Sequence, residues 1–199
     1  LSRFISRLGE KALPLYRLLR RTEHFKWTDA ATAGLNEIKA ILATNPVLAA
    51  PNTGEPMLLY IAATHQVVSA VLVVEREADG HKFPLQRPVY YVSTVLTPCK
   101  SRYPHYQKIA YAVFMASRKL RHYFQECSIT VASEVPLNDI INNRDATGRI
   151  AKWAIELLPF DITYKPRRAI KSQVLADFVA EWTEAELPKE YGTYSNWIM

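Results

Sequence analysis

An α/β domain preceded by a small helical piece is the fold class that this 199-residue sequence predicts, on three observations. Apolar, β-branched runs at 57–74 and 88–95 have the composition of buried strands. A helical periodicity of about twenty residues follows, and shorter strand and helix patterns then alternate to residue 182. Finally, the three prolines between Asn45 and Pro56 separate all of this from an N-terminal region with only helical spacing.

In chain order, residues 2–21 carry Phe4, Ile5, Leu8, Leu13, Leu15, Leu18 and Leu19 among basic residues, interrupted by Gly9 and Pro14, which predicts two short helices. Thr28 is placed to cap a helix from Asp29 to about Ala43, with Ala31, Leu35, Ile38 and Leu42 on one face. A domain boundary falls near Pro51. Three mostly buried strands follow, the last two joined by a turn containing Asp79 and Gly80. One long helix is expected from Tyr103 to Phe124, with Tyr106, Ala110, Val113, Phe114 and Ser117 along its inner face and Lys108, Arg118 and Lys119 on its outer one. A strand at Ser128–Ala132, helices near Leu137–Ile141 and Ala146–Leu158, an edge strand at Asp161–Tyr164 and a helix at Ser172–Trp182 complete the series. After Glu184 the chain reads as a linker.

Composition narrows the function classes. With 49% hydrophobic and 22% charged residues, the chain can bury one sizeable core. Cys99 and Cys127 have no metal-ligand spacing and form no disulfide framework, so a reducing compartment is expected. No apolar run approaches the roughly 20 residues that span a bilayer, and no leader opens the chain, so a soluble protein without membrane partners is expected. Leu1 and the apolar end at Met199 suggest a chain cut at both ends. A net charge of +6 favours an anionic partner.

Local wording is more specific. Phe4-Ile-Ser, Pro14-Leu-Tyr-Arg-Leu-Leu, Phe25-Lys-Trp-Thr and Asn45-Pro-Val-Leu-Ala-Ala-Pro resemble the thumb end of a gypsy-type LTR retrotransposon reverse transcriptase. Residues 57–182, through Ser69-Ala-Val-Leu, Pro88-Val-Tyr-Tyr-Val-Ser, Arg102-Tyr-Pro-His-Tyr-Gln-Lys, Leu120-Arg-His-Tyr-Phe, Val135-Pro-Leu and Leu175-Ala-Asp-Phe, resemble the RNase H-like domain that follows it. The tail from Tyr194 is similar to the lead into a second RNase H domain of some plant elements. The resemblance implies a mixed five-stranded sheet flanked by helices, after a thumb-like segment. It divides the chain into a thumb or connection segment at 1–50, an RNase H-like domain at 51–183 and a linker at 184–199 toward a further domain.

That resemblance also implies a chemistry against which this sequence can be tested. RNase H activity is two-metal hydrolysis and needs clustered carboxylates, because magnesium prefers hard oxygen ligands. The family's first-strand Thr-Asp-Ala-Ser motif aligns with Ile61-Ala-Ala-Thr, which puts Ala62 at the aspartate, and Val67 and Ser69 at two family glycines. The helix motif Tyr-Ser-x-x-Glu-Lys-Glu aligns with Tyr103-Pro-His-Tyr-Gln-Lys-Ile, leaving neutral Gln107 at the first glutamate. The Thr-Asp-His ending the fourth strand reads Ala132-Ser-Glu, so Ser133 holds the ligand position. Of the implied acids only Asp177 persists. Neither Met57–Val74 nor Gly80–Gln125 contains any Asp or Glu, so no shift of alignment supplies one. Glu134 neighbours a lost position but, by strand alternation, points away from Ser133's side.

The stretch without acids is rich in cations, and a positive stripe is expected from Lys100, Arg102, Lys108, Arg118, Lys119 and Arg121, joined by Lys165, Arg167 and Arg168. The expectation is a non-catalytic tether that grips RNA-DNA hybrid or template-primer and needs no cofactor. It would lie between an upstream polymerase domain and downstream RNase H and integrase regions of one polyprotein, in the cytoplasm, a virus-like particle or the nucleus. The alternatives are an active Mg2+-dependent RNase H using Asp177, Glu134 and further acids, and a protein-interaction module of the polyprotein.

Overall fold

The computed structural model describes residues 2–19, 25–44, 48–77, 84–143 and 148–166. The N-terminal piece forms α1 (Leu8–Lys11), α2 (Leu13–Leu19) and α3 (Asp29–Ala43). Thr28 caps α3 as expected, its hydroxyl accepting from the Ala31 amide. The strands are β1 (Met57–Ala63), β2 (Val67–Arg76), β3 (Leu85–Val95), β4 (Ile129–Ser133) and β5 (Ile162–Pro166). They form one sheet in the order β3-β2-β1-β4-β5. The pairs β1–β2 and β2–β3 are antiparallel, while β1–β4 and β4–β5 are parallel. The expected mixed five-stranded sheet is present, with β5 at an edge.

Each parallel connection requires a crossover, which helices supply. Between β3 and β4 run α4 (Pro98–Ser101), α5 (His105–Lys119) and α6 (Arg121–Glu126), and between β4 and β5 run α7 (Leu137–Ile141) and α8 (Gly148–Leu157). The single helix expected over Tyr103–Phe124 is thus divided. Pro104 cannot extend a helix backwards, and Leu120 leaves helical geometry at φ −112°, ψ 31°. Leu120 and Phe124 both stay buried across the break, so the apolar periodicity continues through it. Tyr106, expected on the inner face, is 44% exposed.

The two faces of the sheet are covered differently. Leu59, Ile61, Leu72, Val131 and their neighbours pack against α5 and α8 in the main core. Tyr60, Ala62, Val71, Val73, Tyr91 and Ala132 form a smaller cluster on the other side. Near the far end of β2 and β3 on this side lies α1. Gly9 approaches so closely that a Cβ there would stand 2.7 Å from Ser93 Oγ and 3.2 Å from Val67 Cγ1. Its amide donates to Ser93 Oγ at 3.0 Å, and Ser93 shares a 2.8 Å hydrogen bond with Ser69. The side chains at 67 and 69, where the resembling family has glycines, therefore lie at the seat of α1.

The outer edge of β3 is also occupied. Arg3 accepts from the Tyr91 amide, and the Ala49 amide donates to the Pro88 carbonyl beside an irregularity between Leu72 and Val73. Such cover protects an edge strand from pairing with other chains. The connector is pinned by Glu55 and Arg76, bonded through two N–H groups at 2.8 and 2.7 Å. The Arg76 hydrogen bond holds the Glu55 carboxyl at about 2, well below its ordinary 4.5.

Candidate functional site

Parallel pairing aligns Tyr60 of β1 with Ala132 of β4, so Ala62 and Ser133 stand at neighbouring strand ends. The first turn of α5 reaches the same end of the sheet, where His105 Nε2 and Glu134 Oε1 are hydrogen-bonded at 3.1 Å. Ala62 and Ser133 thus lie at neighbouring strand ends, with Gln107 in the first turn of α5 near the same end of the sheet, but Ala62 packs in the cluster on the face opposite α5.

What they present there is poor in donors for a cation. Ala62 is 7% exposed and packs among apolar neighbours. Ser133 is buried, and its hydroxyl accepts from the Val135 amide at 3.0 Å. Gln107 is half-buried and neutral. Ile109, at the second glutamate of the helix motif, is fully buried in the core. Glu134 is exposed and engaged with His105. Asp177 lies outside the described residues. Among those described, no group of three or more His, Cys, Asp or Glu side chains is placed to hold a metal ion, so this donor set does not fit a pair of hard cations.

Beside Ser133 a cavity of about 300 Å3 is lined by Glu134, Leu137, Asp139, Tyr164 and Lys165, among others. Burial pushes the Tyr164 phenol up to about 12, so it is a neutral hydrogen-bonding group at ordinary pH.

The basic residues are distributed less simply than a single stripe. Lys108 is a correction: it is 7% exposed, and its ammonium reaches inward to the His65 carbonyl at 3.4 Å. Burial lowers its pKa. Lys119 has an exposed stem but turns its ammonium onto β3, donating to Thr94 Oγ1 at 2.9 Å and the Ser93 carbonyl at 3.3 Å. Desolvation lowers its pKa as well. Lys100 donates to the Tyr111 hydroxyl at 2.7 Å. Arg118 pairs with Glu156 of α8 at 3.0 Å. Arg102, Arg121 and Lys165 are exposed, whereas Arg167 and Arg168 lie outside the described residues. Adjacent positions on a helix point about 100° apart, so Arg118 and Lys119 serve opposite flanks of α5. Missed in the sequence was Arg149, whose guanidinium stands 5.1 Å over the Tyr103 ring. Its partner ring lies 46 positions away, so no local pattern signals the contact.

A mixed β3-β2-β1-β4-β5 sheet, with helices crossing between β3 and β4 and between β4 and β5, defines an RNase H-like domain. The chain belongs to the family of RNase H-like domains found in reverse transcriptase, whose sequence profile matches residues 27–131. It is 26% identical over 182 residues to the Transposon Tf2-3 and Tf2-4 polyproteins of Schizosaccharomyces pombe, a match covering 85% of this chain. The chain spans 13% of the length of those relatives. The foamy viral protease-reverse transcriptase in complex with RNA/DNA hybrid has the same fold, with a TM-score of 0.68 at 19% identity over all of this chain and 25% of that one. The same enzyme in complex with dsDNA aligns at a TM-score of 0.66 and 21% identity, covering 85% of this chain and 36% of the other. The expectations of an RNase H-like sheet and a retrotransposon reverse-transcriptase polyprotein segment are met.

Proposed function

We propose that this chain is a non-catalytic RNase H-like module of a gypsy-type reverse transcriptase, a tether that holds RNA-DNA hybrid or template-primer without cleaving it. The observation that carries this reading is the chemistry of the positions that the resemblance assigns to metal ligands: Ala62 packs among apolar side chains, Gln107 is neutral, and the Ser133 hydroxyl is taken up by the Val135 amide. Two-metal hydrolysis requires several anionic oxygens there to position the cations, the attacking water and the leaving oxygen. An alanine, an amide and an internally bonded hydroxyl cannot supply them, and Asp177 alone would leave a paired site incomplete. No cofactor is assigned.

Binding is supported by the net charge of +6 and by the exposed Arg102, Arg121 and Lys165. Relatives of the fold have been seen with duplexes: the foamy viral enzyme was solved with RNA/DNA hybrid and with dsDNA. The partners within a polyprotein would be a polymerase domain upstream and RNase H and integrase regions downstream, and the setting the cytoplasm, a virus-like particle or the nucleus.

The test is to incubate the chain with a labelled RNA-DNA hybrid in magnesium or manganese, and to follow binding of the same hybrid by fluorescence anisotropy. Salt-sensitive binding at micromolar protein with intact RNA is the expected result. Cleavage that disappears in Asp177→Asn would overturn the non-catalytic assignment, and no binding at any salt would overturn the tether.

A further inference from the structure

The seam where α4 and α5 meet α8 combines aromatic rings and cations in a repeated arrangement. Tyr103, Tyr111 and Phe114 all contact the buried indole of Trp153, with centroids 6.2, 5.5 and 5.7 Å from it. Over these same three rings stand three cations. Arg149 lies 5.1 Å from the centroid of Tyr103, Lys100 4.4 Å from that of Tyr111, and Arg118 4.8 Å from that of Phe114. Each of the three rings around Trp153 thus has its own positive charge.

This pairing has two physical consequences. A ring face attracts the cation and restrains a long side chain that would otherwise lose much rotamer freedom on binding a ligand. A guanidinium lying on a ring keeps its N–H edge free, and that edge is the planar fork which matches a phosphate. Arg149 has no ion pair among the described residues. Arg118 does, with Glu156, but both side chains are largely exposed, at 64% and 45%, and such a contact is easily exchanged for a phosphate. The contacts run in parallel along the two helices, from Tyr103 with Arg149 at one end to Arg118 with Glu156 at the other. On α5 alone, Tyr111 to Arg118 extends about 10 Å, the scale of several phosphates of one strand.

We infer that the α4–α5–α8 seam is a backbone-binding track for nucleic acid, in which Arg149 and Arg118, stacked on Tyr103 and Phe114, take phosphates while Lys100 adds charge. This rests on the tether reading above and locates its grip on helices that cover the main core, away from the small-cluster face that contains Ala62. The track is sequence-independent, since nothing in it reads a base edge.

The experiment is anisotropy titration of the full chain with labelled RNA-DNA hybrid over a salt series, using wild type, Arg118→Gln with Arg149→Gln, Arg118→Lys with Arg149→Lys, and Lys39→Gln on exposed α3 as control. The glutamine pair is expected to weaken binding about tenfold and to flatten the slope of log K against log salt by about 2, one for each phosphate contact. The lysine pair should keep most of the slope, which a merely structural role would not require, and Lys39→Gln should match wild type. Unchanged melting temperatures establish that the exposed substitutions leave the fold intact. If wild type binds but the glutamine pair retains both affinity and slope, the track is wrong and the tether stands. If wild type does not bind at all, both fail. Tighter binding of a polyglutamate peptide than of hybrid at equal ionic strength would assign the seam to an acidic protein partner and overturn the inference.

Discussion

The two ends of α5 perform different work on the same helix. At the N-terminal end, Gln107 is half-buried and Lys108 makes one long hydrogen bond to the β1–β2 turn. At the C-terminal end, Arg118 reaches α8, Lys119 reaches β3, and Leu120 is buried as the helix breaks. The first end carries an uncharged half-buried side chain and a lysine with one hydrogen bond, and the second is fastened on three sides. The contrast shows that one helix can be a packing hub at one end and carry sparsely bonded polar groups at the other, because van der Waals contacts and polar side chains answer to different requirements.

The largest effect that would sharpen this contrast is in packing. Leu120→Ala should cost about 2–5 kcal/mol in denaturant unfolding, while Gln107→Ala, at a half-buried polar position, should fall within about 0.5 kcal/mol. Equal losses at both sites would dissolve the distinction.

A smaller difference separates the two lysines. Lys119→Met removes two hydrogen bonds from β3 and should cost about 0.5–1.5 kcal/mol. Lys108→Met should be neutral or stabilising, since the buried ammonium has only the His65 carbonyl to answer it. Burial lowers the Lys108 pKa below its ordinary 10.5, so folding gains stability as pH rises through the folded value toward 10.5. Melting temperatures of Lys108→Met should lack that gain. Comparing variant with wild type isolates it from Tyr91 and Tyr164, whose phenols burial holds at about 12.

A pH effect that lies outside α5 serves as a reference. With its carboxyl held at about 2, Glu55 contributes stability that is present above 4.5 and lost as pH falls toward 2. Arg76→Gln should flatten that acid limb of the melting curve and leave the alkaline behaviour of the lysine variants unchanged.

Much of this was legible in the chain. Strand positions, the Thr28 cap and the edge location of β5 follow from β-branched runs, capping chemistry and local spacing, all signals carried within a few residues. The absence of charge at Ala62, Gln107 and Ser133 is likewise read directly from the chain. What could not be read was direction. Lys108 and Lys119 both looked like outward charges, yet each ammonium turns toward a carbonyl supplied by a distant segment. Arg149 remained invisible until α8 lay against α5. The break at Leu120 leaves no mark in the pattern, since the apolar side of both helices faces the same core.

Gly9 gives the molecule a mechanical property. The prolines at 46, 51 and 56 mark a seam in the sequence, but α1 sits on β2 and β3 with no room for even one added methyl group, and Ser93 ties its backbone to Ser69. The N-terminal helices therefore touch the sheet directly at α1. A side chain added at position 9 would have to lift α1 from β2 and β3, so the seating of the N-terminal helices on the sheet depends on a residue that has none.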